Sequence, residues 1–299
     1  MRNKPPKRRG DRRDAYLVRN ADPMHSIMSR VLGERTCNEA VMTVSLDLTE
    51  AEAYLAALNR ETEPENRYTM FHLLCAAVGK TIALRPKMNY FMKARKLYER
   101  EDISLAFIAK SKFSDDGGES LVILKLDESD DAASPLKQVH DRICGEVRRI
   151  RKENAVDGST DLMNRLVALP GFLLDAVVWV LRRMDQRGHL PAAVSSVNPY
   201  EASVFISNLG SIQMDAKYHH LANFGTNSFF IIIGKKEIAP RWREDGSFEM
   251  RMTLPLGITV DERIGDGYYF GKSIRLLQYL MAHPACLDEP LYTKPDWED

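Results

Sequence analysis

Apolar and polar residues alternate through "AVMTVSLDL", residues 40–48, and a period of two in β-forming residues predicts a strand. "ASVFISNLG", "SFFIIIGKKE" and "SFEMRMTLPLGITVDE" also read as strands, the last two joined through Asp245-Gly246, a hairpin signal. A period near 3.6 predicts helices elsewhere. "ADPMHSIMSRVL" has Asp22 as N-cap, Pro23 at the first helical position, and Met24, Ile27, Met28 and Val31 as its apolar positions. "TEAEAYLAALN" follows with Thr49 as cap, then "YTMFHLLCAAVGKTIALRP", ended by Pro86. "SPLKQVHDRICGEVRRIRKE" places Leu136, Val139, Ile143, Val147 and Ile150 on one face. Two further helices fill 159–187, separated at Pro170-Gly171, and "DGYYFGKSIRLLQYLMAH" closes the pattern before Pro284.

In the middle, "DISLAFIAK" and "ESLVILKLD" flank "SKFSDDGG" as a hairpin. No helix begins directly after those glycines, so they turn the chain and do not cradle a phosphate. Antiparallel hairpins mixed with helices, without a repeated βαβ glycine fingerprint, predict a layered α/β domain with a mixed sheet. The most apolar long stretch, "LMNRLVALPGFLLDAVVWVL", is broken by Asn164, Arg165, Pro170 and Asp175. It reads as a buried or interface helix, not a membrane span.

Composition changes this picture little. The 299 residues are 44% apolar, and 42 basic residues balance 42 acidic ones, so no global field favours nucleic acid or a membrane surface. Cys37, Cys75, Cys144 and Cys286 lie far apart without zinc spacing, which suits free thiols in a cytoplasmic protein without a metal. Residues 1–13, "MRNKPPKRRGDRR", hold seven basic residues and offer no apolar face, so residues 1–20 are expected to form a solvated, dispensable tail. Residues 21–290 form the globular domain and 291–299 a polar C-terminal tail.

"VFISNLGSI", "SFFIIIGKKE" and "LPLGITVDERIGDGYYFGKSI" occur in the order and spacing of one family. Together they resemble the catalytic domain of dihydrolipoamide acyltransferases, the core component of 2-oxo acid dehydrogenase complexes, related to chloramphenicol acetyltransferase. "IMSRVLGERTCNEAVMTVSLDLT" is similar to that family's opening helix and first strand, and the likeness spans roughly residues 20–290. The resemblance implies a chloramphenicol acetyltransferase-like two-layer α/β sandwich, assembly as a homotrimer with the active site between subunits, and coenzyme A as substrate. Only about twenty residues precede the catalytic region, so this chain carries no lipoyl attachment domain, and a separate lipoyl-bearing protein would have to serve. The polar, acidic ending "LDEPLYTKPDWED" contrasts with the apolar tail that joins trimers into cubic shells.

In that family an imidazole removes a thiol proton and a side-chain hydroxyl steadies the tetrahedral oxyanion. The pattern Asp-His-Arg-x-x-Asp-Gly is matched here by Asp261, Glu262, Arg263, Ile264, Gly265, Asp266 and Gly267. Glu262 therefore stands where the resemblance implies the base. Proton transfer from a thiol of pKa ~8.5 costs about 2.7 kcal/mol to a histidine (~6.5) and about 5.7 to a glutamate (~4.3). The difference, roughly 3 kcal/mol, slows catalysis about a hundredfold unless burial raises the carboxylate. Asp266 matches an acid that holds the site by ion pairing, Gly267 a tight helix entry, and Ser207 the oxyanion hydroxyl; a serine bonded to backbone at a strand end is the alternative for the last. His219 and His220, in "DAKYHHLANFGTNS", are substitute bases or plain loop histidines. Two functions stay open: acyl transfer between coenzyme A and an acceptor, or a catalytically silent assembly or binding protein that keeps the fold.

Overall fold

Strand β2 (Glu39–Asp47) realises the first alternation, burying Val44 and Leu46 on one side. The computed structural model describes residues 4–110, 118–129, 131–153, 166–196 and 198–297. A short strand β1 (Ala15–Leu17) precedes helix α1 (Pro23–Val31), and α2 (Thr49–Leu58) and α3 (Met70–Leu84) follow β2. Next come β3 (Tyr90–Lys93), β4 (Lys96–Arg100), β5 (Ser104–Lys110), β6 (Glu119–Lys125) and α4 (Pro135–Glu153). Helix α5 (Gly171–Arg187) and the single turn α6 (Ala192–Ser195) lead to β7 (Val204–Asn208), β8 (Phe229–Ile233), β9 (Glu237–Trp242), β10 (Phe248–Asp261) and α7 (Gly267–Ala282).

Seven strands form one mixed sheet in the order β2-β10-β8-β7-β5-β6, with β9 paired to the first half of β10. β7 runs parallel to both β5 and β8, and the remaining pairs are antiparallel. Helices α2, α3, α4 and α7 cover one face, where Leu105, Val204, Ile206, Ile231, Leu256 and Ile258 meet them in the main core. α3 explains this best: from His72 to Ala83 every residue is buried, including Lys80, whose Nζ donates to the carbonyls of Cys286 and Pro290 and pins the C-terminal segment. The result is the layered α/β domain with a mixed sheet that the pattern predicts, in the two-layer sandwich that the resemblance implies.

Several local expectations shift. Thr49 is not the cap of α2: its N–H and Oγ both donate to Asp47, which ends β2 and starts the turn. The apolar positions of α1 are not a core face, since Met24, Ile27 and Val31 are 60%, 56% and 71% exposed. α5 is not buried within the chain either; only Asp185, near its C-terminus, is buried, while Phe172 and Trp179 face solvent. The helix expected before Pro170 lies largely outside the described residues, as do the turn residues 111–117 of the β5–β6 hairpin. In the basic N-terminal segment, Arg12 is buried, bonded to Asp14 and to the Asp185 carbonyl, so the segment is not solvated throughout. At the other end Leu291 is buried against the core.

Candidate active site

Among the described residues no helix layer covers the second face of the large sheet. Ala106, Phe205, Phe230 and Ile232 form a small core there with Ala202 and Leu221. Residues 213–223 cross this face, and glycines in the strands make room for them: a Cβ at Gly257 would overlap the Lys217 carbonyl, and one at Gly234 the Ala216 nitrogen. Tyr218 then bonds Thr43, and the Leu221 N–H donates to Glu39.

The matched motif closes β10. Asp261 is fully buried and takes two bonds from Arg263, Nε to Oδ1 at 2.8 Å and Nη2 to Oδ2 at 2.7 Å. Arg263 Nη1 also donates to the carbonyls of Leu32 and Gly33, and the Nε of buried Arg35 lies 3.5 Å from Asp261 Oδ2. This is one carboxylate between two guanidiniums, all three out of water. Burial lowers the Arg35 pKa, Asp261 opposes the fall and Arg263 adds to it. Glu262 is the exposed residue between the two locked ones; its N–H donates to the Asn38 carbonyl, and among the described residues its carboxylate makes no ion pair. Asp266 forms no ion pair among the described residues; exposed, it caps α7 by accepting from the Tyr269 N–H at 2.7 Å. No described residue requires glycine at Gly267, where a Cβ would have no described atom within 4 Å.

Ser207 stands at the other end of that face. Its neighbours across the ladder are Ile232 and, one strand further, Gly257, so Asp261 lies four residues along and two strands across. That is about 13 Å by about 10 Å, or roughly 16 Å between Cα atoms. Glu262 and Ser207 of one chain are therefore not brought together. The Ser207 hydroxyl bonds no described residue, so the reading of a serine tied to backbone does not apply within them.

His219 shares that face. Its ring stacks on Phe230 at 4.3 Å and on His220 at 4.5 Å, and Phe230 stacks on Phe205. Phe205 and Ser207 are two residues apart on the same face, about 7 Å along β7, so the stack of His219, Phe230 and Phe205 lies on the face that Ser207 shares. His219 Nδ1 is 2.7 Å from the His220 carbonyl. A carbonyl only accepts, so Nδ1 carries a proton, and no described residue bonds Nε2; the neutral tautomer with this arrangement presents Nε2 as an acceptor, as a general base does. His220 is exposed and contributes its ring to the stack.

Other residues here had no signal in the local sequence. Lys93 pairs with Asp185 of α5 and donates to the Gly225 carbonyl at 2.8 Å. Burial pulls the Lys93 ammonium down to about 8, against Asp185 and with a further push from Arg35. Gly257 inside a strand pattern was the one local clue to the crossing segment. No group of His, Cys, Asp and Glu among the described residues could hold a metal ion. No helix of the described residues is long and apolar enough to cross a membrane.

No family model matches the sequence, and no curated protein matches it. Solved structures do. A probable dihydrolipoamide acetyltransferase from Listeria monocytogenes is similar with a TM-score of 0.56 at 17% identity, over 89% of this chain and 92% of that one. The fold is that of acyltransferase catalytic cores. A truncated catalytic core of the 2-oxoacid dehydrogenase multienzyme complex from Thermoplasma acidophilum gives 0.52 at 13%, over 90% of this chain and 98% of the other. A chloramphenicol acetyltransferase gives 0.50 at 12%, over 89% and 99%. At these identities the likeness is one of fold, and the chemistry rests on the residues above.

Proposed function

We propose that this chain is an acyltransferase that moves an acyl group between coenzyme A and an acceptor, with Ser207 at the oxyanion and His219 as base. The observation that carries the reading is the His219 geometry: Nδ1 donates to a carbonyl, and no described residue bonds Nε2, on the face that Ser207 shares. His219 Nε2 takes the proton of the incoming acceptor as it attacks the thioester carbonyl. The Ser207 hydroxyl donates to the developing oxyanion. Collapse breaks the carbon–sulfur bond, and the coenzyme A thiolate recovers the proton from the imidazolium. Neighbours of the same fold that act as acyltransferases support the reaction class.

Glu262 takes the role of base only if a neighbouring copy brings it to Ser207, as in a trimer whose active sites lie between subunits. The exposed apolar residues of α1 and α5, Met24, Ile27, Val31, Phe172 and Trp179, support self-association, because such patches mark interaction surfaces. A lipoyl group, if it is the acceptor, comes from a separate protein; a cytoplasmic location fits the four free thiols. One observation favours the silent alternative: Asp261 and Arg263 lock each other and Asp266 caps a helix, so their presence has a folding reason without catalysis.

The test is release of free coenzyme A thiol across a panel of acyl-coenzyme A donors and thiol, hydroxyl and amine acceptors. His219→Asn keeps a donor to the His220 carbonyl but lacks Nε2, and should lose at least about a hundredfold in kcat. Glu262→Gln should stay within a few-fold of wild type. Loss in the glutamine variant with activity retained in His219→Asn would transfer the role to Glu262. A wild type that binds the donors and turns none over would establish the silent reading.

A further inference from the structure

Parallel strands β5 and β7 pair through only two positions, Leu105 with Val204 and Ala106 with Phe205. Neither strand ends there. β5 runs on to Lys110 held by β6, and β7 runs on to Asn208 held by β8. The sheet forks, and the fork begins one residue before Ser207. A cavity of about 520 Å³ occupies the opening, and Ser207 lines it. Its walls on the helix side are apolar: Phe71 of α3 and Phe107 of β5 meet edge to face at 5.1 Å, and Ile143 and Val147 of α4 complete that side. The charges along its lining, Lys110 and Glu119, pair with each other at 3.4 Å.

We infer that the fork is the acyl-chain site of the enzyme and that it takes aliphatic acyl groups of medium length, about eight to twelve carbons, as a cavity of several hundred Å³ would bury. The inference rests on the acyl-transfer reading in one respect, that Ser207 meets the thioester oxygen. The carbonyl carbon then sits at the fork, and the chain attached to it has one apolar direction to follow, through the sheet toward α4. Sheet pairing is what ordinarily closes that path; here the ladder stops where the path must open. Among the described lining residues the two rim charges pair with each other and leave no unpaired cation for a carboxylate or phosphate, which favours an apolar chain over the nucleotide end of coenzyme A.

Equilibrium binding and turnover are measured separately with acetyl-, butyryl-, octanoyl- and lauroyl-coenzyme A, each below its micellar concentration. Affinity should rise about fourfold per methylene until the cavity fills. Val147→Trp, which fills the cavity from α4, should collapse the lauroyl-to-acetyl ratio at least tenfold. Ile212→Glu, an exposed position on the same lining, should do the same without touching the core, so a folding defect in the first variant does not leave the matter undecided. Chain-length dependence of binding in a protein without turnover upholds the site and rejects the acyl-transfer reading. Turnover with no dependence on chain length rejects the site and upholds the reaction. A dependence unchanged in both variants means the chains stick elsewhere, such as the exposed Phe172 and Trp179 of α5, and overturns the inference.

Discussion

The two ends of the second sheet face hold the two halves of one motif set, and they are built in opposite ways. At the end of β10, Asp261 and Arg263 are buried, doubly bonded and backed by Arg35. At the end of β7, Ser207 is half-buried beside an apolar cavity, with a hydroxyl that no described residue uses. A buried ion pair is a poor place for chemistry, because breaking it leaves a charge out of water; an unused hydroxyl at a cavity wall costs nothing to engage. The match to a catalytic motif is therefore strongest where the structure needs Asp261 and Arg263 for folding, and the chemistry-ready atoms lie where the match is a single serine, with a loop histidine from outside the motif on the same face.

The contrast breaks most visibly under Asp261→Ala. Two guanidiniums would stay buried without a counter-charge, and the loss should be about 3–5 kcal/mol in a denaturant titration. Ser207→Ala should leave that titration within about 0.5 kcal/mol of wild type while lowering kcat about 10²–10³-fold, the cost of an oxyanion donor. Equal stability losses in both variants would erase the distinction.

Lys93 sharpens the picture of the charged end. Its folded pKa, about 8, lies below the ordinary 10.5, so the unfolded chain binds the extra proton between those values. Stability contributed by this group is present above about 10.5 and lost as pH falls through about 8. Relative to a Lys93→Met, Asp185→Leu double variant, the wild type should gain roughly 2–3 kcal/mol between pH 8 and 10.5. A flat difference would mean that folding leaves the Lys93 pKa at its ordinary value and the site holds the ammonium as readily as water does. Asp266→Ala, which removes the cap of α7 but no ion pair, should cost only about 1 kcal/mol.

Much of the fold was legible because its signals are local. Alternation in residues 40–47, the continuous apolar run 229–233, Pro86 and Pro284 after helices, and Asp245-Gly246 each act within a few residues. The site was legible only in part. Ser207 and the 219–220 pair could be named from the sequence, but Arg35 meets Asp261 across 226 positions and Lys93 meets Asp185 across 92, and no period or motif encodes such partners. The fork at Ser207 depends on where a parallel ladder stops, which is a property of four strands at once. The apolar faces of α1 and α5 were read correctly as apolar, yet pattern alone does not say whether the chain itself or another surface covers them.

The central claim, that Ser207 and His219 of one chain form the working site, is tested most directly by mixing inactive variants. Ser207→Ala and His219→Asn proteins are unfolded together, refolded and assayed for coenzyme A release. If both residues act within one chain, every mixed assembly still contains only broken sites, and activity should stay at the level of the separate variants. The same experiment with Ser207→Ala and Glu262→Gln should show only the activity of the Glu262→Gln chains. Recovery of activity in the first mixture, or Glu262→Gln protein that is dead alone and revived by Ser207→Ala chains, would place the base on a neighbouring copy and contradict the account.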